Sequence, residues 1–212
     1  MSFTNPKDII KALLVLISVM VWIPLQPLVA HGIKYHEFST IDHRNGLNAS
    51  AVNCIVQDGT GLIWFGTDRG LFSYDGYQAR QYVGKEGNGH ANIGVIYCAV
   101  MVDSVHLWLG SDNGLLIFNT YTDSYEKSPD GLPDNIRSIS RINNHTFWIG
   151  SLDGLYRYDT RNGKPDRISN GLIPHHSIYT ILRYDENTHY FGTYNGLCRY
   201  DGNNIITYIS DE

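Results

Sequence analysis

The side chains with the clearest chemical potential are polar and aromatic residues that recur around four short turns. The turns read TDRG, SDNG, SLDG and TYNG, and Asn-Gly-Leu or Asp-Gly-Leu loops precede three of the four repeating units. Polar groups interleaved with aromatic rings suit a carbohydrate, which needs partners for its hydroxyls and a surface for stacking. The candidate ligand-binding residues are Asn48, Asp68, Arg69, Asp112, Asn113, Asn135, Arg137, Asp153, His175, His176, Tyr194 and Asn195. Asp and Asn before Gly are also common turn formers, so a purely structural role remains the alternative for each of them.

The same sequence offers little for metal binding or catalysis. His175 and His176 are adjacent, so on a strand they point to opposite faces, and on a loop such a pair rarely shares one ion. His106, His145 and His189 fall near the same turn of successive units, and we expect them to be solvated turn residues. We therefore predict no catalytic residue, no metal site and no cofactor.

The composition indicates an ordered protein and argues against one class of partner. The chain has 212 residues, of which 42% are hydrophobic and 12% aromatic, and its formal net charge is −5. The 15 tyrosines and 21 glycines favour short strands and tight turns. Binding to phosphates needs a basic surface, and the sequence has no run of Lys and Arg, so nucleic acid is not expected as a partner.

The N-terminal residues predict export. Lys7 and Lys11 precede an almost entirely apolar run from Ala12 to Ile23, and Val29-Ala30 follows as a candidate cleavage site. A basic start, a short apolar run and a small residue before the cut are typical of a secretory signal peptide. We assign residues 1–30 to this peptide and expect a periplasmic protein. An uncleaved segment that tethers the chain to the membrane is the alternative.

The elements that must position the candidate residues are β-strands in a repeated unit. Two positions after an aromatic residue, glycine occurs at Gly66, Gly110, Gly150 and Gly192, at spacings of 44, 40 and 42 residues. Segments such as LFSYD and LYRYD alternate with the period of a strand, and four strand-like segments fit each unit. Repeats of about 42 residues with four short antiparallel strands each are typical of the blades of a β-propeller. The fold class is therefore all-β, in a partial or small propeller.

The predicted units cover about residues 45–87, 88–129, 130–169 and 170–212, within an array that spans 31–212. Ten residues before each aromatic lies a small residue, which suits a crowded innermost strand: Cys54, Cys98, Ser138 and Thr180. The two cysteines are thus expected to be core residues, with a disulfide as the alternative. A closed four-bladed ring lies within the range of four to eight blades, whereas an open array would leave an unpaired blade edge.

The stretch from Tyr35 to Tyr82, which contains NGLNASAVNCIVQDGTGLIWFGTDRGLFSYDG, resembles the first blade of the two-component regulator propeller family, and the similarity covers residues 34–212. The repeats of that family form the periplasmic sensor region of hybrid two-component systems of Bacteroidetes. The resemblance implies a sensor of glycan fragments in which a β-sandwich domain, a membrane helix, a histidine kinase and a receiver follow the propellers. None of these is found in the 212 residues, so we expect a truncated or N-terminal piece that is not itself an enzyme.

Two other functions remain open. A secreted propeller enzyme, such as a lyase or glycosidase, would need convergent carboxylates or a calcium site, and no such cluster is evident. The segment Asp58–Trp64 is similar to the Asp-box turn of sialidase propellers, but the other units do not repeat it, so we interpret it as a hairpin turn. A structural interaction module would instead pair through its open edge. The expected partners are an oligosaccharide and either the remaining blades or a second protomer, with membrane contact only through the signal segment or missing downstream regions.

Overall fold

The computed structural model describes residues 38–83, 93–168 and 173–208, together with Pro6, Lys7, Ile10, Lys11 and Leu14. Most of the predicted signal peptide and part of the loops that link the predicted units lie outside the described residues. The chain divides into two compact units, Met1–Ser39 and Thr40–Glu212, and every strand belongs to the second. Among the residues described, no helix is long and apolar enough to cross a membrane.

The second unit is built from four antiparallel sheets, each of four consecutive strands. A short 3₁₀ helix, His43–Asn45, precedes them. The strands are β1 Val52–Gln57, β2 Ile63–Thr67, β3 Gly70–Tyr74, β4 Ala79–Tyr82, β5 Ile96–Met101, β6 His106–Ser111, β7 Gly114–Asn119, β8 Ser124–Glu126, β9 Ile136–Arg141, β10 Thr146–Ser151, β11 Leu155–Asp159, β12 Pro165–Ile168, β13 Ile178–Arg183, β14 His189–Thr193, β15 Gly196–Tyr200 and β16 Ile205–Tyr208. The all-β propeller prediction is confirmed.

A hydroxyl closes the turn between the second and third strands of each sheet. In the first sheet, Thr67 Oγ1 donates to the Gly70 carbonyl oxygen at 2.8 Å and accepts the Arg69 N–H at 3.0 Å. Equivalent bonds recur in the other three sheets, at Ser111, Ser151 and Thr193. Gly70 has a φ of +94°, in the left-handed region that glycine adopts without strain. The TDRG-type motif is therefore a hairpin turn, as the sequence predicts.

The sheets succeed one another through their first strands. Strand β1 contacts β5, β5 contacts β9, and β9 contacts β13. We call the side of a sheet that faces the following sheet its outgoing face, and the opposite side its incoming face. An aromatic pair joins each outgoing face to the next incoming face, with ring centroids 4.7–5.4 Å apart, in Trp64–Phe118, Trp108–Phe147 and Trp148–Phe191. These buried interfaces form the core of the array.

The glycine that follows each aromatic is required by packing. Gly66 pairs with Cys54 across β1 and β2, and Ile96 of the next sheet covers the same point. A Cβ atom on Gly66 would lie 2.4 Å from Cys54 Sγ and 2.6 Å from Ile96 Cγ2, closer than real Cβ contacts. The small residue on the first strand and the glycine on the second thus make room for the isoleucine of the following sheet.

Cys54 and Cys98 are free thiols in these crowded positions, as expected for core residues. Burial raises the pKa of the Cys54 thiol to about 11 and that of Cys98 to about 12. Both cysteines are therefore protonated at neutral pH and poor nucleophiles.

Candidate functional site

The predicted ligand-binding residues lie at one end of the strands. Loops that lead into the first strands meet the turns between second and third strands there, and backbone and side-chain hydrogen bonds join them from the second sheet to the fourth. The Asn135 N–H donates to the Asp112 carbonyl at 3.1 Å, and the Leu152 N–H donates to the Asn135 carbonyl at 3.2 Å. Ser177 Oγ then donates to the Leu152 carbonyl, and the Tyr194 N–H donates to the Ser177 carbonyl. We call this surface the loop end.

Two of the predicted aspartates hold the loop end together. Asp68 Oδ1 accepts the backbone N–H groups of Ser50 and Ala51 at 3.0 and 3.2 Å. In the second sheet, Asp112 Oδ1 accepts the Val95 N–H at 3.0 Å. Each carboxylate therefore positions the loop that precedes its own sheet, which is a structural role consistent with the turn alternative.

Asp153 is engaged differently. The Tyr156 hydroxyl donates to Asp153 Oδ2 at 2.6 Å, and the Arg167 guanidinium pairs with Oδ1 at 3.1 Å. Burial and the Asp153 hydrogen bond raise the pKa of Tyr156 to about 12. Here the aspartate links β11 to β12 instead of holding a leading loop.

Three of the predicted residues form one aromatic group. The His175 and His176 rings are stacked with centroids 4.2 Å apart, and the Tyr194 ring lies 5.2 Å from that of His175. The Ser177 N–H donates to His175 Nδ1 at 3.0 Å, which assigns the proton of the neutral imidazole to Nε2. Tyr194 is 74% exposed. The group offers an exposed stacking surface beside hydrogen-bonding atoms.

Arg137 belongs to a row of residues that sequence reasoning recognised only in part. The first strand of each sheet carries a β-bulge, and the extra residues are Asn53, Tyr97, Arg137 and Tyr179. The Arg137 guanidinium carbon lies 3.5 Å from the centroid of the Tyr97 ring. Asn53 Nδ2 reaches the Ile96 carbonyl of the next sheet at 2.8 Å. Bulges re-aim side chains near functional sites. The sequence could have identified this row, because its members all stand immediately before the small residue of their unit.

The remaining predicted residues occupy exposed positions at the loop end. These are Asn48, Arg69, Asn113 and Asn195. The Arg69 carbonyl accepts a bond from Gln81 Nε2, so its backbone, at least, is part of the scaffold.

The expectation that His106, His145 and His189 are solvated turn residues is wrong for His189. His189 is fully buried on β14, and its ring nitrogens lie near the backbones of Arg141 and Asn187 without a hydrogen bond of ordinary geometry. It occupies the incoming-face position that Leu107 and Phe147 hold, and it packs near Trp148 with centroids 6.5 Å apart. Burial lowers the pKa of His189, so the ring is neutral. His145 is exposed, whereas His106 is half-buried and bonds to Asp103 at 2.7 Å.

A second concave surface lies at the opposite end of the third and fourth sheets, between the β9–β10 and β13–β14 hairpins. It is a cleft of about 660 Å³, open to solvent and lined by Arg141, Ile142, Asn143, Asn144, His145, Arg161, Arg183, Glu186 and Asn187. Arg161 is already paired with Asp159 at 2.6 Å, and Arg183 Nε donates to the Asp185 carbonyl. Across the part of the chain that the structure describes, no group of three or more His, Cys, Asp or Glu residues could hold a metal ion.

Four-stranded antiparallel sheets that succeed one another through their first strands are propeller blades, and the chain is a β-propeller repeat protein. The model of the two-component regulator propeller family matches residues 46–69, which include the first Gly-Leu loop, β1 and β2. Together with the solved relatives below, this match supports the identity of the repeats as two-component regulator propeller repeats.

The solved relatives are extracellular domains. The chain is 39% identical to the extracellular domain of BT4673, a proposed hybrid two-component system of B. thetaiotaomicron, with a TM-score of 0.70 over 79% of this chain. It is 19% identical to that of BT3049 from the same organism, with a TM-score of 0.70 over 81% of this chain and 26% of the other. The chain spans 22% of the length of the BT4673 domain. The sequence has no match among curated proteins.

A more distant likeness is to a WD40 β-propeller domain. The WD40 β-propeller domain of Doa1 is 13% identical and has a TM-score of 0.56, and the match covers 76% of this chain and 51% of the Doa1 chain. This likeness concerns the fold alone. The matched part of this chain corresponds to about half of the length of that chain.

Proposed function

We propose that the array is the recognition region of an exported sensor and that its ligand is a glycan fragment bound at the loop end. The family match and the extracellular relatives support a sensory role outside the cytoplasm. The observation that carries the choice of ligand is the group formed by His175, His176 and Tyr194, in which an exposed ring lies beside hydrogen-bonding atoms. A signal peptide at residues 1–30 is part of the same proposal.

The chemistry of this group fits a sugar. A pyranose or furanose ring has a C–H face that packs against an aromatic ring, and its hydroxyls need donors and acceptors around the rim. Tyr194 supplies the exposed face, and His175 Nε2–H supplies a donor because its Nδ1 is already bonded to Ser177. The stacked Arg137 and Tyr97 pair would extend the binding surface along the first strands.

The carboxylates of the loop end favour binding over catalysis in this proposal. Acid–base catalysis needs a carboxyl group that is poised to exchange a proton with the substrate. Asp68 and Asp112 each use an oxygen to accept backbone N–H bonds, and Asp153 is bonded to Tyr156 and Arg167. We therefore propose that the blades recognise the ligand and that any phosphotransfer is performed by a kinase domain outside them.

The proposal is tested by binding. The protein is titrated calorimetrically with short oligosaccharides of glucose, xylose, arabinose, mannose and galacturonic acid. We expect one class to bind and Tyr194→Ala to weaken it by roughly tenfold, because an aromatic contact contributes up to about 1.5 kcal/mol. Tyr121→Ala removes a tyrosine that is 85% exposed in the β7–β8 turn and serves as the matched control.

Two results would contradict the proposal. If no oligosaccharide of the panel binds, the glycan class is wrong. If binding is unchanged in Tyr194→Ala but lost in Arg183→Ala, the ligand occupies the cleft at the opposite end, and the loop-end assignment is wrong.

A further inference from the structure

Two equivalent arginines are bonded differently on the two sides of the third sheet. Arg141 and Arg183 are the last residues of β9 and β13, the first strands of the third and fourth sheets. Arg141 reaches back to the second sheet, where its Nη2 group donates to the carbonyls of Met101, at 3.2 Å, and Val102. Arg183 instead donates from Nε to the Asp185 carbonyl of its own turn at 3.2 Å. The space between the third and fourth sheets is left open as the cleft of about 660 Å³.

The lining of this cleft is positively charged in an acidic protein. Arg141, Arg161 and Arg183 stand against Glu186, which gives the lining a formal charge of +2, whereas the whole chain carries −5. Arg161 is paired with Asp159 at 2.6 Å, and Arg141 is bonded to the second sheet. The Nη1 and Nη2 groups of Arg183 make no ion pair or hydrogen bond with the described residues. Its planar guanidinium can therefore hold an oxyanion through two parallel hydrogen bonds.

Asparagine side chains add neutral donors to both walls. Asn143 Oδ1 accepts the backbone N–H groups of His145 and Thr146, both at 2.9 Å, which leaves its Nδ2 group to donate. Asn144 of the same hairpin and Asn187 of the facing hairpin also line the cleft, and both are exposed. An oxyanion has several acceptor oxygens, so a guanidinium combined with carboxamide N–H groups matches its hydrogen-bonding needs.

A buried polar side chain distinguishes this junction from the preceding one. His189 is completely buried, and its ring nitrogens lie near the backbones of Arg141 and Asn187, two residues of the cleft lining. Phe147 holds the equivalent position of the third sheet. The interface behind the cleft is thus polar where the preceding interface is apolar.

We propose that the cleft is an oxyanion-binding site, in which the Arg183 guanidinium and the asparagine amides of the two facing hairpins hold a carboxylate, sulfate or phosphate group. All the lining residues lie between Arg141 and Asn187, on two sheets that are neighbours within the chain. Glu186 is the carboxylate of the lining, and its charge opposes an anion. The site lies at the end of the sheets opposite to the loop end, and neither site requires the other.

The test is an NMR titration of the ¹⁵N-labelled chain at constant ionic strength. The probes are sodium sulfate, sodium phosphate and a galacturonic acid disaccharide, with the uncharged galactose disaccharide as the matched probe. We expect saturable shifts of the Asn143 and Asn187 resonances with the anions, at a roughly millimolar dissociation constant for an exposed site. The uncharged disaccharide should leave these resonances unchanged.

Three charge variants give opposite expected effects. Arg183→Gln should raise the dissociation constant about tenfold, because it removes the charged donor fork. Glu186→Gln should lower it about threefold, because it removes the opposing charge. Arg157 is exposed on β11 and is not part of the lining, so Arg157→Gln is the matched control and should change the constant by less than about twofold. All three positions are exposed, so the variants should retain the fold.

The relative affinities identify the source of the oxyanion. Tighter binding of the galacturonic acid disaccharide than of sulfate and phosphate would indicate an acidic sugar, whereas the reverse would indicate a free anion, and both results support the site. Tyr194→Ala should leave anion binding at the cleft unchanged, so this proposal and the loop-end proposal can fail separately.

Four results would overturn the proposal. The first is the absence of saturable shifts at the cleft with any of the anions. Equal weakening in Arg183→Gln and Arg157→Gln would show a general charge effect without a site. Unchanged or weaker binding in Glu186→Gln would contradict the electrostatic argument. Equal shifts with the uncharged disaccharide would show that the cleft recognises hydroxyl groups and not an anion.

Discussion

Replacing Gly110 with alanine is expected to destabilise the contact between the second and third sheets. The new Cβ atom would lie 2.5 Å from Cys98 Sγ, 2.6 Å from Ile136 Cγ2 and 2.9 Å from the Ile136 carbonyl oxygen. Since the third of these atoms belongs to the backbone and Ile136 is completely buried, rotation of one side chain cannot relieve the clash. Overpacking of a buried site costs about 1–3 kcal/mol, and we expect the upper part of that range.

The measurement is thermal unfolding followed by far-UV circular dichroism. For a domain of this size, about 1 kcal/mol lowers the midpoint by roughly 2–4 °C, so the variant should melt about 6–12 °C lower. Gly59→Ala is the matched control, because an added Cβ meets nothing within 4 Å and Gly59 does not have a positive φ. Its midpoint should stay within about 2 °C of the wild type, as for most surface substitutions.

A second substitution checks the mechanism. Ile136→Ala alone leaves a cavity and should cost about 2–5 kcal/mol, but it also removes Cγ2, one of the atoms that the new Cβ would meet. The double variant should therefore lose less free energy of unfolding than the two single variants lose together. Strict additivity, or a midpoint for Gly110→Ala equal to that of Gly59→Ala, would refute the packing argument.

Three further predictions follow from buried and bonded groups. His189→Leu should raise the unfolding midpoint at neutral pH, because it removes buried ring nitrogens that lack hydrogen bonds of ordinary geometry; the expected gain in the free energy of unfolding is about 1 kcal/mol. The pKa of His189 is lowered in the folded state, so the unfolded state binds a proton more readily. The wild type should therefore lose stability as pH falls through about 6.5. His189→Leu should lose less stability over the same pH range. Asp58→Ala should lower the free energy of unfolding in urea by about 1–2 kcal/mol. Asp58 accepts hydrogen bonds from Trp64 Nε1 at 2.9 Å and from the turn backbone, and these bonds would be lost. An unchanged unfolding midpoint would contradict this prediction. Cys54 and Cys98 should resist a thiol reagent at pH 8 until the chain unfolds, and rapid labelling of the native protein would contradict this prediction.

The repeats made the fold predictable from the sequence. Few architectures combine strand-like alternation with a repeat of the length that separates Gly66 from Gly110. The antiparallel sheets follow the predicted order of strands. The small residue ten positions before each aromatic also predicted the crowded first strand correctly. Such a local pattern is reliable because the same packing requirement recurs in all four units.

The details of the candidate site were less predictable. The sequence places Asp68 and Asp112 at turns, but it does not say whether their carboxylates face a ligand or the backbone, and both accept backbone N–H groups. Tyr97 was missed because a β-bulge changes the direction of its side chain, and a simple alternation of strand faces contains no bulge. His189 was misassigned since a polar residue at a strand end resembles a turn residue unless its neighbours across the interface are known.

The isoleucine–glycine contact has a consequence for how such proteins change their blade number. Every interior unit brings its own isoleucine for the unit before it and its own glycine for the unit after it, as Ile136 and Gly150 do in the third sheet. An in-frame duplication of one interior unit would therefore supply this contact on both sides of the new blade without a compensating substitution. Gain or loss of a whole interior unit therefore leaves the isoleucine–glycine contact intact at the new junction.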